Sequence, residues 1–153
     1  MRGGCTKASR MVPAFAFAIA LHSSTDRSAD ARALWHDLNV ARQSAGLPPL
    51  VLDLRLCRVA EAHAYDMVRR HYFDHVSPDG LGPFERMTRA GLRYGYAGEN
   101  IALDVDERGA AEHLYASPEH RQNMLEPHYT HVGIAAVATE TREFFVEDFS
   151  DDG

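Results

Sequence analysis

Apolar residues recur at helical spacing in two segments of the first half of the chain. The first segment spans residues 30–45 and ends at Gly46. The second spans residues 54–71 and follows Asp53, whose carboxylate can cap the first turn of a helix. Its predicted apolar face consists of Leu56, Val59, Ala60, His63 and Met67. The spacing predicts two amphipathic helices, the second carrying His63 as a hydrogen-bonded core histidine rather than as a site residue.

Short helices and a final hairpin are predicted for the second half of the chain. Pro83 and the pair Ser117–Pro118 are typical helix starts, and a further helix is predicted over residues 107–116. The segment RYGYAGENIAL is predicted to be a loop with a strand or a bend, and the runs HVGIAAVA and EFFVEDFS to be paired strands. Adjacent Phe144 and Phe145 would face opposite sides of a sheet. The order of elements indicates an α+β domain with helices on both faces of a sheet.

The beginning of the chain differs from the rest. Basic residues precede an apolar run, Met11–Leu21, which is followed by the polar HSSTD. This order is typical of a secretory signal peptide, and the run is too short for a transmembrane helix. We therefore predict a signal peptide over residues 1–24, a folded domain over residues 30–150, and a location outside the cell or in the cell envelope. The alternative is a disordered leader with a chance apolar patch.

Composition and charge exclude several classes of protein. The chain is 45% hydrophobic and 25% charged, which is typical of a globular domain. Its formal net charge is −6 and no dense stripe of Lys and Arg is present, so nucleic acid is not an expected partner. Of the two cysteines, Cys5 lies in the predicted leader, which leaves Cys57 as a buried thiol without a partner for a disulfide. We expect a monomer.

Five segments in one order carry a family resemblance: NVARQSAGLPPLVLD, AHAYDM, YFDHVSPDG, AGENIA and SPEHRQNMLEPHYTHVGIA. Together, over residues 33–149, they resemble the bacterial branch of the CAP superfamily, which contains SCP-like and PR1-like domains. The resemblance implies a three-layer α–β–α sandwich with a central, mainly antiparallel sheet. It also implies a cleft that gathers two histidines and two acidic residues, in a family associated with extracellular binding rather than with one reaction.

The resemblance assigns three cleft residues in this chain. The histidine of the DH-x-SPDG segment falls on His75, the glutamate of the GEN motif on Glu99, and the histidine of the GHYTQ-type motif on His128. The second glutamate of the eukaryotic pattern, and the tryptophan before it, are absent from the corresponding residues 114–117. Two neighbouring residues are candidates for its replacement: Glu119 and His120.

Three kinds of chemistry remain open for His75, Glu99 and His128. Two neutral imidazoles and a carboxylate can ligate Zn²⁺ or another divalent metal, and the same groups can form an acid–base pair. They can also bridge loops by hydrogen bonds alone. No serine or cysteine lies in a recognisable nucleophile context and no HExxH motif is present, which disfavours an enzyme.

The predicted function is therefore that of a secreted binding module. Its ligand would be a divalent metal or an extracellular molecule: a lipid, a peptide or another cell-envelope component. A metal-assisted hydrolase of protease type is one alternative, and a structural or stress-related cell-envelope protein is the other.

Overall fold

The computed structural model describes the fold over residues 24–151, and side chains from residue 29 onward. The described elements, in chain order, are α1 Ser24–Ser44, β1 Val51–Leu52, α2 Leu54–Arg70, α3 Pro83–Arg89, β2 Ala97–Asp104, α4 Glu107–Ala116, α5 Pro118–Met124, β3 His131–Ala138 and β4 Glu143–Ser150. Apart from Ser24, where α1 begins, the predicted signal peptide lies outside the described residues. No described helix is long and apolar enough to cross a membrane.

The described strands form one sheet in the order β1-β3-β4-β2. The predicted hairpin of β3 and β4 is confirmed, and β2 pairs antiparallel with the other side of β4. Only the two-residue β1 is parallel to its neighbour, β3. The AGEN segment, predicted as a loop with a strand or a bend, is part of the eight-residue edge strand β2. This strand carries the central residue of the site described below.

Helices cover both faces of the sheet. One face packs against α2 in a cluster that includes Met67 and Val146, with Phe144 at its margin. The other face packs against α1, α4 and α5 in a larger cluster that contains Phe145. The prediction that adjacent phenylalanines face opposite sides of a sheet covered on both faces is therefore confirmed. The architecture is the three-layer α–β–α sandwich that the sequence predicts.

Helix α2 begins where the sequence predicts and lies very close to the sheet. The carboxylate of Asp53 accepts hydrogen bonds from the backbone N–H groups of Arg55 and Leu56, at 2.6 and 3.4 Å. A Cβ atom added at Gly133 of β3 would lie 2.1 Å from the carbonyl carbon of Leu56 and 2.3 Å from the backbone nitrogen of Cys57. Glycine at this position therefore allows α2 to approach the sheet. Cys57, predicted to be buried, is partly exposed.

Arg42 joins α1 to the segment between α5 and β3, and it is fully buried. Its guanidinium donates to the carbonyl oxygens of Pro48, Met124, Glu126 and Tyr129, at 2.9, 2.8, 3.0 and 3.3 Å. Because arginine carries several donors in a fixed planar fork, one side chain can satisfy several carbonyl groups that would otherwise be buried without partners. This contact fixes the position of α5 relative to α1.

Candidate functional site

Glu99 lies near the beginning of the edge strand β2 and is the centre of the site. Its side chain is 1% exposed and lies on the α2 side of the sheet. The segment that joins α2 to α3 brings His75 to one oxygen of the carboxylate, and α3 brings Arg86 to the other. The pairing of β2 in the sheet therefore sets the position of Glu99, whereas the two side chains that bind it belong to residues that precede β2 in the sequence.

Both oxygens of Glu99 are engaged. Nδ1 of His75 lies 2.7 Å from Oε1, and Arg86 donates to Oε2 at 2.5 Å. The other terminal nitrogen of Arg86 donates to the carbonyl oxygens of His75 and Leu81, each at 2.9 Å. Arg86 thus neutralises the buried carboxylate and fixes the backbone of the loop that carries His75.

The charges of these groups depend on one another. Burial by itself raises the pKa of Glu99, but the hydrogen bond from His75 and the charge of Arg86 outweigh it and hold this pKa below its usual value. The hydrogen bond to Glu99 in turn raises the pKa of His75. An ionised Glu99 therefore favours the charged imidazolium form of His75, whose side chain is 45% exposed.

Asp148 of β4 is paired with Glu99 across the sheet. It is fully buried, and neither of its carboxyl oxygens has a hydrogen-bond donor among the described residues. Burial, and then the charge of Glu99, raise the pKa of Asp148 well above its usual value. The neutral form of Asp148 is therefore favoured beside an ionised Glu99.

His63 of α2 lies beneath the site. Its Nε2 is 3.1 Å from the carbonyl oxygen of Asp74 and 4.0 Å from Oε1 of Glu99. Burial lowers the pKa of His63, which keeps the ring neutral, so its Nε2–H donates to the carbonyl group. The prediction of a hydrogen-bonded core histidine is confirmed, but the same residue also adjoins the site, which the helical pattern does not indicate.

His120 of α5 is the second histidine that interacts with this region. Burial, followed by the charge of His75, lowers the pKa of His120. Nδ1 of His120 is buried and has no hydrogen-bond partner among the described residues. Asn123, on the same helix, donates to the backbone oxygen of Glu99 at 3.2 Å and thereby fastens α5 to β2.

His128 has different surroundings. Its Nδ1 lies 2.5 Å from Oε1 of Glu126, and its ring stacks on Tyr96 with centroids 3.9 Å apart. Glu119 is exposed, and its carboxylate accepts a hydrogen bond from the hydroxyl of Ser117 at 3.2 Å. Of the sequence-predicted site residues, the structure thus brings His75 and Glu99 together, and it places His120 on α5, the helix that Asn123 fastens to the backbone of Glu99. The described contacts of His128 and Glu119 are with other residues.

The donor set does not fit a divalent metal held by His75, Glu99 and His128. The carboxylate oxygens of Glu99 are bound by His75 and by the cation of Arg86, which would repel a second cation. Within residues 24–151, no three His, Cys, Asp or Glu side chains are grouped so that they could hold a metal ion. Nε2 of His75 and Nδ1 of His120 are not bound to Glu99, but two imidazole nitrogens alone are a small ligand set.

Sequence reasoning missed Arg86 and Asp148. Arg86 follows Pro83 on a short helix, and nothing in its spacing indicates a contact with Glu99. The sequence does indicate that Asp148 is buried, because this residue follows Glu147 in a strand that the adjacent phenylalanines predict to be covered on both faces. Two adjacent acids in such a strand must both be buried, and buried acids are uncommon without a special role.

Comparisons with known proteins agree with this fold. The sequence profile of the cysteine-rich secretory protein (CAP) family matches residues 35–149. The uncharacterised protein YkwD of Bacillus subtilis is 40% identical over 100 residues, which are 65% of this chain and 39% of YkwD. The uncharacterised membrane protein YlbC of the same organism is 34% identical over 112 residues, which are 72% of this chain and 31% of YlbC. The chain thus spans less than half the length of these curated relatives.

Solved structures give the same result. An extracellular protein of Bacillus anthracis that contains an SCP domain is 29% identical, with a TM-score of 0.75 over 81% of this chain and 41% of that one. An outer surface protein of Borrelia burgdorferi shares the fold at 19% identity, with a TM-score of 0.76 over 82% of this chain and 94% of that one. The profile match covers most of the described chain, and this chain belongs to the cysteine-rich secretory protein (CAP) family.

Proposed function

We propose that this domain acts outside the cell as a binding module, and that it holds a polar cell-envelope ligand between His75 and His120. One observation carries the proposal: the imidazole of His75 is half-exposed while its Nδ1 is fixed on the buried carboxylate of Glu99. Because Nδ1 is committed, Nε2 is the atom of His75 that remains for a ligand. A ring held in one orientation loses little conformational entropy on binding.

The charge of this site favours a ligand with a hydrogen-bond acceptor. When His75 is protonated, Nε2 carries a hydrogen and can donate to a carboxylate or a carbonyl oxygen. Charge-assisted hydrogen bonds of this kind are stronger than neutral ones. We therefore favour the carboxylate-bearing peptides of the cell wall as the ligand class.

Extracellular action is supported by two independent observations. The predicted signal peptide has the order of charge and hydrophobicity that export requires. Structural neighbours include an extracellular protein and an outer surface protein. A domain that recognises a cell-wall component would meet its ligand in this location.

The experiment is a titration of the protein with soluble peptidoglycan fragments at pH 6, followed by the NMR signals of the histidine side chains. We expect the signals of His75 and His120 to shift, and His75→Ala to weaken binding about tenfold or more. His128→Ala is the matched control, because this exposed histidine pairs with Glu126. Equal binding by wild type and His75→Ala would refute the proposal, and binding only to phosphatidylglycerol vesicles would identify a lipid ligand instead.

A hydrolase is the second candidate, because a carboxylate that orients an imidazole is also the arrangement of a general base. The described residues supply no hydroxyl or thiol hydrogen-bonded to His75, and the hydroxyl of Ser77 accepts from the backbone N–H of Leu81. Water would therefore have to be the nucleophile. Release of soluble product from peptidoglycan or casein by the wild type, but not by His75→Ala, would establish this activity, with and without added Zn²⁺.

A further inference from the structure

A second polar pocket lies at the opposite end of the sheet from Glu99. It is a cavity of about 310 Å³ between the start of α1, the start of α4 and the turn that joins β3 to β4. Glu143, which begins β4, is paired with Asp104 at the end of β2. Asp104 is the fifth residue after Glu99 on this strand, so the two ends of the strand that carry the sites are about 17 Å apart.

Acidic residues dominate the lining of this pocket. Its described lining includes five of them, Asp30, Asp106, Glu107, Glu140 and Glu143, and a single basic residue, Arg142. The charge of Arg142 acts on Asp104, whose carboxylate is also hydrogen-bonded to His113 at 2.5 Å. Among the described lining residues, acids therefore outnumber bases, and they come from three separate parts of the fold.

Two of these carboxyl groups have a buried oxygen without a partner. Glu143 is 6% exposed, and its Oε1 has no hydrogen-bond donor among the described residues. Oε1 of Glu107 is likewise buried without a donor. Leaving buried polar atoms unsatisfied is costly, and buried acceptors of this kind are normally hydrogen-bonded. Among the described residues, Arg142 does not donate to either of these oxygens, which leaves both available to a bound donor.

The crowding of acidic residues also indicates that this pocket favours a bound cation. Burial, and then the charges of Asp30, Asp106 and Glu107, raise the pKa of Glu143 to about 7. Burial, followed by the charges of Asp37, Asp30 and Asp106, raises the pKa of Glu107. A bound cation would relieve this repulsion and favour the ionised forms.

We propose that this acidic pocket binds a primary ammonium group, as found in a free polyamine or in a lysine side chain of a peptide. A primary ammonium donates three hydrogen bonds, which suits the unpartnered oxygens of Glu107 and Glu143. A single metal ion suits the pocket less well, since these acids are not grouped at ligand spacing in the described chain. The cavity is also large enough for an organic molecule.

The test is isothermal titration calorimetry at pH 8 and low salt. The probes are N-acetyl-lysine amide, cadaverine, and N-acetyl-lysine amide trimethylated at its ε-nitrogen. The trimethylated probe keeps the charge but has no N–H donors on the cation. We expect the two primary amines to bind and the trimethylated compound to bind at least tenfold more weakly. Tighter binding of cadaverine would indicate a free polyamine, and tighter binding of the lysine amide a peptide.

Substitutions test whether the amines bind in this pocket or elsewhere on the surface. We expect Glu143→Gln, which keeps the size of the side chain, to weaken amine binding about tenfold. Glu61→Gln removes the same charge from an exposed position on α2 and should leave binding unchanged. His75→Ala should also bind amines normally, so this test is independent of the proposed cell-wall ligand. The inference is overturned if neither amine binds, if the trimethylated probe binds equally well, or if Glu143→Gln has no effect.

Discussion

Glu99 of β2 and Asp148 of β4 are cross-strand neighbours whose pKa values are shifted in opposite directions, that of Glu99 below and that of Asp148 well above its usual value, which favours a neutral Asp148 beside an ionised Glu99. His75 and Arg86 stabilise the charge of Glu99, whereas Asp148 has no donor among the described residues. Two adjacent buried carboxyl groups cannot both ionise without strong repulsion. The neutral acid lets the charged one lie in the interior with its two cationic partners.

Replacement of each acid by its amide should therefore have opposite results. We expect Asp148→Asn to fold normally and to be as stable as wild type or more stable at pH 7.5, because burial and the charge of Glu99 favour the neutral form of Asp148, which the amide resembles. Glu99→Gln should lower the free energy of unfolding by about 3 kcal/mol or more, because it leaves the mostly buried cation of Arg86 unpaired. Urea unfolding followed by circular dichroism measures both, and a destabilised Asp148→Asn with an unaffected Glu99→Gln would contradict this assignment.

The stability of the fold should decrease as pH rises from about 4.5 to 7 because of two buried carboxyl groups. Burial raises the pKa of Glu147 to about 7, and burial and like charges do the same for Glu143. In the unfolded chain both groups ionise near their usual pKa of about 4.5, so the folded state binds more protons from there up to about pH 7 and loses stability over this range. Above about pH 7 both states are ionised and the loss levels off. Each group contributes a slope of at most about 1.4 kcal/mol per pH unit.

A variant of Glu147 provides the control for this pH dependence. Glu147→Gln keeps the shape of the side chain but cannot lose a proton, so its unfolding free energy should depend less on pH. His63 and His120 have lowered pKa values and act in the opposite direction below about pH 6.5, where the unfolded chain binds their protons, but they do so equally in wild type and in Glu147→Gln. Urea midpoints measured at half-unit pH intervals would show the difference, and parallel profiles for the two proteins would refute it.

The pKa values of His75 and His120 should be shifted in opposite directions from the usual value, and the charge of His75 should affect the pKa of His120. The hydrogen bond to Glu99 raises the pKa of His75, and burial followed by the charge of His75 lowers that of His120. In His75→Ala we therefore expect His120 to titrate at a higher pH than in wild type. NMR titration of the imidazole signals measures this shift. An unchanged pKa of His120 would mean that the two rings do not interact.

His75 also contributes to stability in a defined pH range. Because its folded pKa is raised, the contribution of its contact with Glu99 is complete below the unfolded pKa of about 6.5. It is lost as pH rises through the higher folded pKa. His75→Ala should therefore destabilise the protein more at pH 5.5 than at pH 9.

Arg42 should tolerate no replacement that lacks its planar fork. Arg42→Lys keeps the positive charge, but a single ammonium group cannot reach all the carbonyl oxygens that the wider guanidinium of Arg42 binds. We expect a loss of about 3 kcal/mol in unfolding free energy, because buried carbonyl oxygens lose their donors. Arg69→Lys, at an exposed position on α2, is the control and should have little effect. A thermal melt of Arg42→Lys that matches wild type would show that the buried contacts are dispensable.

The sequence by itself determined the layered fold, because its evidence is local. The cap at Asp53, the helix starts at Pro83 and Pro118, and the adjacent phenylalanines of β4 each involve neighbours in the chain, and the structure has each as predicted. Ordered motifs likewise identified the family. Hydrophobic periodicity decided which side of each element is buried, since a helix or a strand can bury only the face on which its apolar residues fall.

Only the tertiary structure decided which charged side chains meet. Arg86 lies thirteen residues before Glu99 in the sequence, and Asp148 lies beside Glu99 because their strands pair. No local sequence pattern indicates either contact. The charge of Glu99, and the contrast between the surroundings of His120 and His128, depend on burial and on distances between distant segments. Electrostatic interactions act through space and change with desolvation, and for that reason the folded arrangement, not the motif, sets the chemistry of this site.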